Sequence, residues 1–168
     1  MIWAVATVLG AGNLRPASGT WASAITVALA VLAYQAGLAL LVPLGFVLAT
    51  VAGFWAVPHY LRQNGGEDPS EVVIDEVAGQ SLALSFTVIP LWWHGVADMA
   101  VAAWPAWVVP FALFRLFDIW KPWIIGRADR RGDAAGVMLD DLWAGLFAGI
   151  GSVVLAGIWH GVVAPWLG

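Results

Sequence analysis

This sequence predicts an all-α fold, a polytopic membrane bundle of about five transmembrane helices preceded by a short N-terminal interfacial or re-entrant segment. Three observations predict it. Of the 168 residues, 61% are hydrophobic and only 11% charged, a balance far from that of a water-soluble domain. The forty residues from Trp21 to Tyr60 contain no Asp, Glu, Lys or Arg. Apart from Asp98, the charges gather in three short segments, near 10–20, 61–76 and 115–141, separated by apolar runs. The length is that of one domain, 1–168.

Ile2 to Ala11 is apolar but supplies about half of the ~20 residues needed to cross a bilayer, hence the interfacial or re-entrant assignment. It has no basic residues ahead of its apolar run, so a secretory signal is not expected. The segment GAGNLRPASGTW from Gly10 offers Ser18 or Thr20 as a helix N-cap. As one helix, 21–60 would be ~60 Å long at ~1.5 Å per residue, twice the hydrocarbon thickness. Two spans are therefore expected, near 20–40 and 43–60, with Gly37 and Pro43 bracketing the turn.

Arg62 to Asp68 is polar. Asp68-Pro69-Ser70-Glu71 predicts a helix start, with Asp68 as N-cap, Pro69 in the first helical position and Glu71 closing a capping box. That helix runs to about Trp93 and places Asp75 and Glu76 about two turns inside it. A loop at 94–98 leads to a fourth span, 100–118, kinked by Pro105 or Pro110. The fifth, 139–162, carries Gly145, Gly149 and Gly157, suited to close helix contact.

Span parity brings the 10–20, 61–75 and 115–141 segments to one side, together with all seven Lys and Arg residues. The positive-inside rule makes that side cytoplasmic. Trp92, Trp93, Trp120, Trp123 and Trp159 fall near span ends, where interfacial belts form.

Several function classes drop out. With no cysteine, disulfides, thiolate metal sites and cysteine nucleophiles are absent. A net charge of −4 without a basic face leaves nucleic acid no footing. His59, His94 and His160 are dispersed, which does not suit zinc. There is no GxxxxGK[ST] and no D-x-D pair.

The acids carry the chemistry. A charged side chain inside a membrane helix costs ~2.5–3.5 kcal/mol on insertion scales and is seldom present without a use. Asp75-Glu76 and Asp140-Asp141 are adjacent pairs that repel unless a cation joins them. Mg²⁺, which takes a few carboxylates plus water and substrate phosphate, suits them; structural ion pairs with Arg115, Lys121 and Arg130 are the alternative. Glu67, Asp68 and Glu71 fit solvation or capping. Arg115, Asp118 and Lys121 are spaced three apart and share a face if the helix continues. With Arg130 they would suit a phosphate monoester. Asn13, Ser18 and Thr20 could add anion donors at a helix start.

Four blocks, GAGNLRPASGTWAS, VVIDEVAGQ, FRLFDIWKPWIIGRADRR and GVMLDDLWAG, resemble the phosphatidylglycerophosphatase A family in order and spacing over almost the whole chain. The resemblance implies an all-helical, magnesium-dependent enzyme of the bacterial inner membrane. Its active site would face the cytoplasm, where phosphatidylglycerophosphate in the bilayer is hydrolysed to phosphatidylglycerol. The family's motifs fall on Asp75 and Glu76, on Arg115, Asp118 and Lys121, and on Asp129, Arg130, Asp140 and Asp141. Taken with the residue chemistry above, the expected roles are Asp75, Glu76, Asp140 and Asp141 as Mg²⁺ ligands, Asp118, Asp129 and Asp141 as catalytic groups, and Arg115, Lys121, Arg130 and Thr20 toward the substrate phosphate. The chain departs from the family at Ser18-Gly19-Thr20, where Pro-Gly-Thr is usual, at Ala134-Ala135, where a glycine pair is usual, and at the extra acid Asp133. A CDP-alcohol phosphotransferase would need D-x-x-D-G-x-x-A-R, which is missing. An ion-coupled carrier would place its acids near midplane rather than near one face.

Overall fold

A computed structural model of the chain describes residues 1–64, 69–96 and 103–167, and every regular element among them is helical. A five-residue helix, α1 (Ile2–Ala6), and a 3₁₀ turn (Ala11–Asn13) precede α2 (Ser18–Gln35), α3 (Leu41–Gln63) and α4 (Ile74–Trp93). Then come α5 (Pro105–Trp120), the short α6 (Trp123–Asp129) and α7 (Ala134–Ile158). A π-helical turn (Trp159–Val163) and α8 (Ala164–Leu167) close the described chain.

Several boundaries differ from expectation, each for a local reason. Neither Ser18 nor Thr20 caps α2; Ala17 does, with no side-chain bond, because Ser18 donates instead to Ser70 O at 2.5 Å. Gly37, at φ +75°, makes the α2–α3 turn, whereas Pro43 sits in the first turn of α3, where its missing N–H is no loss. The fourth helix begins at Ile74 and not at Pro69, since the Val73 N–H is given to Ala6 O at 3.0 Å and the chain before it follows the N-terminal segment. Asp75 and Glu76 consequently occupy the first turn of α4 rather than a position two turns inside. Glu71 closes no capping box and accepts a hydrogen bond from the Tyr60 hydroxyl. Asp68, Glu67 and Asp98 lie outside the described residues.

The last long helix starts earlier than 139. Asp133 caps it, accepting from Gly136 N at 2.7 Å, so Asp140 and Asp141 lie nearly two turns within α7. In α5, Pro110 cannot donate to Ala106 O, and the Thr87 hydroxyl of α4 does so at 2.9 Å.

Central α4 packs against α2, α3, α5 and α7. Small residues set its distance from α7: a Cβ on Gly145 would run into the Gly79 backbone, and one on Gly149 into the Phe86 ring. Gly157 meets nothing and serves no such contact. Phe114, Ile125, Ala83, Ala144 and Ala148 fill the space among α4, α5, α6 and α7. At the opposite end Tyr34, Val42, Leu84, Val88 and Trp107 form a second cluster, and the Tyr34 hydroxyl donates to Val96 O at 2.7 Å.

Two helices among the described residues, Leu41–Gln63 and Ala134–Val163, are long and apolar enough to cross a membrane. The other three expected spans fall short of that mark. Ser, Thr, Tyr and Gln dilute α2, the acids, Gln80 and two serines dilute α4, and α5 has only 16 residues. Trp92, Trp93, Trp120, Trp123 and Trp159 are exposed at or beside helix ends.

Candidate functional site

The charged side chains converge because four helix segments present them to one cleft. Residues 69–73 lead into α4 beside the start of α2, pinned by the Ser18–Ser70 bond and by Gly12, where any Cβ would strike the Glu71 backbone. That contact delivers Asp75 and Glu76 to the first turn of α4. Gly19 is glycine for a related reason, since a Cβ there would collide with the Glu76 carboxylate. One turn further along α2, Ser23 donates to Glu76 Oε2 at 3.1 Å.

From α5, Arg115 Nη1 reaches Glu76 Oε2 at 2.5 Å and Asp118 Oδ2 at 3.1 Å. From α7 comes Asp141, 4% exposed. It is held close to α4 because Gly79 has no side chain: a Cβ on Gly79 would lie 2.5 Å from Asp141 O. Carboxylate oxygens of Glu76, Asp118 and Asp141 come within 4.8 Å of one another, as the ligands of a metal ion would.

Lys121 is not on the Arg115–Asp118 face. It is the C-cap of α5 at φ +49°, followed by Pro122 and by Trp123 at φ +47°. Left-handed backbone at non-glycine residues costs on the order of 1 kcal/mol each. Here it turns the ammonium back to Asp129 Oδ1 at 2.5 Å and Asp140 Oδ2 at 2.6 Å. Partial burial opposes that charge, but the hydrogen bonds to Asp129 and Asp140 outweigh it and hold the ammonium above the ordinary lysine range.

The cleft encloses about 200 Å³ between a wall of Asp75, Glu76, Asp118, Lys121, Asp140 and Asp141 and a rim of Ser18, Gly19 and Ser70. The five carboxylates outnumber Arg115 and Lys121 by three. At an effective dielectric near 20, two unit charges 4.8 Å apart repel by about 3 kcal/mol. Three such pairs approach the whole stability of a domain. The cluster therefore calls for further positive charge, and its all-oxygen, hard donor set fits a small divalent cation.

All four sequence-predicted metal ligands line the cleft, although Asp140 is tied to Lys121 and to Asp141 N, and Asp75 Oδ1 accepts from Glu76 N. Asp118 joins them. Arg115 reaches its carboxylates without lining the cleft. Asp129 is exposed and meets the cleft only through Lys121, Arg130 is an exposed helix cap, and Thr20 is half-buried away from the lining. Sequence reasoning missed Gly19 and Ser23, whose i,i+4 spacing on α2 was the available signal, and Gly79, whose small size was the cue.

The family model for phosphatidylglycerophosphatase A matches residues 4–156. A phosphatidylglycerophosphatase A of Haemophilus influenzae is 32% identical over 150 residues, 86% of this chain and 82% of that protein. The protein of the same name in Escherichia coli K12 is 27% identical, over 71% of this chain and 59% of its own length. A Bacteroides thetaiotaomicron protein, provisionally described as a phosphatidylinositol-3-phosphatase, is 40% identical over 61% of this chain. The matched part of the chain spans 57% of the Bacteroides protein, little more than half. No solved structure matches.

Proposed function

This chain belongs to the phosphatidylglycerophosphatase A family, and we propose that it hydrolyses the terminal phosphate of phosphatidylglycerophosphate to give phosphatidylglycerol and phosphate, with Mg²⁺ as cofactor. The observation that carries this reading is the Glu76–Asp118–Asp141 cluster, with Asp141 buried and the other two half-buried, beside Lys121 in one open cleft. Carboxylates that repel each other this strongly favour a cation, and a cation beside an ammonium favours a phosphate.

Glu76, Asp118 and Asp141 would hold the ion, with Asp75 and Asp140 next to them. When bound, it supplies charge neutralisation and polarisation of the phosphoryl oxygens. Lys121 Nζ, steered by Asp129 and Asp140, offers N–H donors to the phosphate. Arg115 bridges Glu76 and Asp118 and sets their spacing. The attacking group in this reading is water: its oxygen bonds to phosphorus, and a cleft carboxylate takes its proton and returns it to the glycerol oxygen as the P–O bond to the lipid breaks. Asp118 is the carboxylate we assign to the proton.

The membrane arrangement in this reading has five crossing helices, α2 to α5 and α7, with the charged end at the cytoplasmic face of the bacterial inner membrane. Support comes from the alternating helix directions, from the gathering of Arg115, Lys121 and the acids at one end, and from the exposed apolar flanks of α3 and α7. A substrate that is itself a lipid reaches such a cleft without leaving the bilayer.

The test is phosphate release by purified protein in detergent from phosphatidylglycerophosphate and, in parallel, from phosphatidylinositol-3-phosphate. Mg²⁺-dependent, chelator-sensitive release from the first supports the reading. Release from the second alone would transfer it to another headgroup, and a stable acid-precipitable phosphoprotein would replace water by an aspartate nucleophile.

A further inference from the structure

Gln80 is wholly buried, and neither its Nε2 nor its Oε1 has a hydrogen-bond partner among the described residues; Arg115 Nε is the one other buried side-chain atom in that state. Native interiors rarely leave an amide so, because its lost hydration is not repaid. The two residues share a seam. On α4, Glu76, Gln80, Ala83 and Thr87 follow one another at spacings of four, three and four, which is one face of a helix. Glu76 meets Arg115 of α5, Ala83 packs in the cluster containing Phe114, and Thr87 bonds Ala106 O, so this face runs antiparallel along α5. Gln80 therefore occupies the next level of the seam beyond the Glu76–Arg115 ion pair, deeper than the cleft.

We propose that Gln80 is a positioning residue which shares a buried water with Arg115 Nε. The guanidinium is thereby fixed between Glu76 and Asp118, at the spacing the cation site needs. One water meets each of the three atoms once: Arg115 Nε–H and a Gln80 Nε2–H donate to the water oxygen, and the water donates to Gln80 Oε1. Three polar partners are what a buried water ordinarily makes. Loss of the amide would leave Arg115 held through Nη1 alone and free to tilt, so the carboxylates it joins would lose their spacing. This inference rests on the metal-phosphatase reading for its consequence, but not for the hydration itself.

The experiment uses full-length protein in detergent and compares wild type with Gln80→Leu, which removes both polar atoms at similar volume. Three quantities are read: melting temperature, Mn²⁺ binding by electron paramagnetic resonance, and kcat with KM. The expected result is a melting temperature lowered by several degrees, Mn²⁺ affinity reduced about tenfold, and kcat reduced at least about tenfold with KM within about twofold, as for loss of preorganisation. A melting temperature equal to or above wild type overturns the proposal, since an idle unpaired amide is improved by leucine. A lowered melting temperature with unchanged Mn²⁺ binding overturns it too, leaving Gln80 as packing only. If Gln80→Leu does not accumulate, Gln80→Met, of equal length and without the amide, takes its place. The melting and Mn²⁺ readings stand even if the wild type releases no phosphate, so failure of the phosphatase reading is seen separately.

Discussion

Gly79 and Asp141 touch backbone to backbone where α4 crosses α7: a Cβ on Gly79 would lie 2.5 Å from Asp141 O and 2.6 Å from the Phe114 ring. The acid is thus placed by a helix crossing and not by a loop. Gly79→Val should force the helices apart, at a cost of about 1–3 kcal/mol typical of overpacking, and reduce activity at least about tenfold by moving Asp141 away from Glu76. Gly157→Ala, in open space, should leave melting temperature and activity as in wild type. Equal effects at the two glycines would remove the crossing from the explanation.

Asp141→Asn should lower phosphate release by on the order of 10³-fold while the protein melts at or above the wild-type temperature measured in chelator. The reason is that one of three mutually repelling charges is gone. A variant that melts well below wild type in chelator would show that the carboxylate is held by structural bonds instead.

Breaking a buried ion pair from one side costs ~3–5 kcal/mol, and the Arg115 and Glu76 side chains are only 15% and 12% exposed. Arg115→Met should therefore express poorly or melt lower, and Arg115→Met combined with Glu76→Gln should recover part of the loss without recovering activity. Thermal melts of the single and double variants decide this, and additive losses would contradict direct coupling.

Lys121→Met releases both Asp129 and Asp140. KM should rise at least about tenfold if the ammonium meets the phosphate, and Lys121→Arg should restore little of it, because a planar fork does not replace a point charge at this turn. An unchanged KM would confine Lys121 to a structural role.

The last prediction concerns pH. Asp133, with its side chain 52% exposed, is pulled down to about 2 from 3.8 by its hydrogen bond to Arg131 and then by that from Gly136 N. A depressed folded-state value means stability that is present above pH 3.8 and lost as pH falls toward 2. The melting difference between wild type and Asp133→Asn should be constant above about pH 4 and shrink below it. A difference that grows on acidification would have the wrong sign.

The five long helices were legible because uncharged runs and turn residues are local signals. Gly37 marked its turn from sequence alone. What was not legible depended on distant partners. Ile74, and not Pro69, starts α4 because Ala6 O takes the Val73 N–H, and no reading of 68–71 by itself could contain that. Asp75, Glu76, Asp140 and Asp141 stood out as adjacent acids in apolar surroundings, and they do line one cleft. Lys121 misled because its spacing from Asp118 assumed a helix that the left-handed turn before Pro122 ends. Gln80 lies one helical turn after Glu76, yet only three-dimensional burial reveals an amide with no partner among the described residues.

The bond from Val73 N to Ala6 O also has a consequence for how the protein is made. It ties α1 to the start of α4, and Asp141 follows only with α7. During synthesis Ala6 O must wait for Val73 while α2 and α3 are made, and Glu76 stands without Asp141 until α7 is delivered. The charged cleft is therefore completed only when α7 joins, since Glu76 of α4 and Asp118 of α5 both precede Asp141 in the chain.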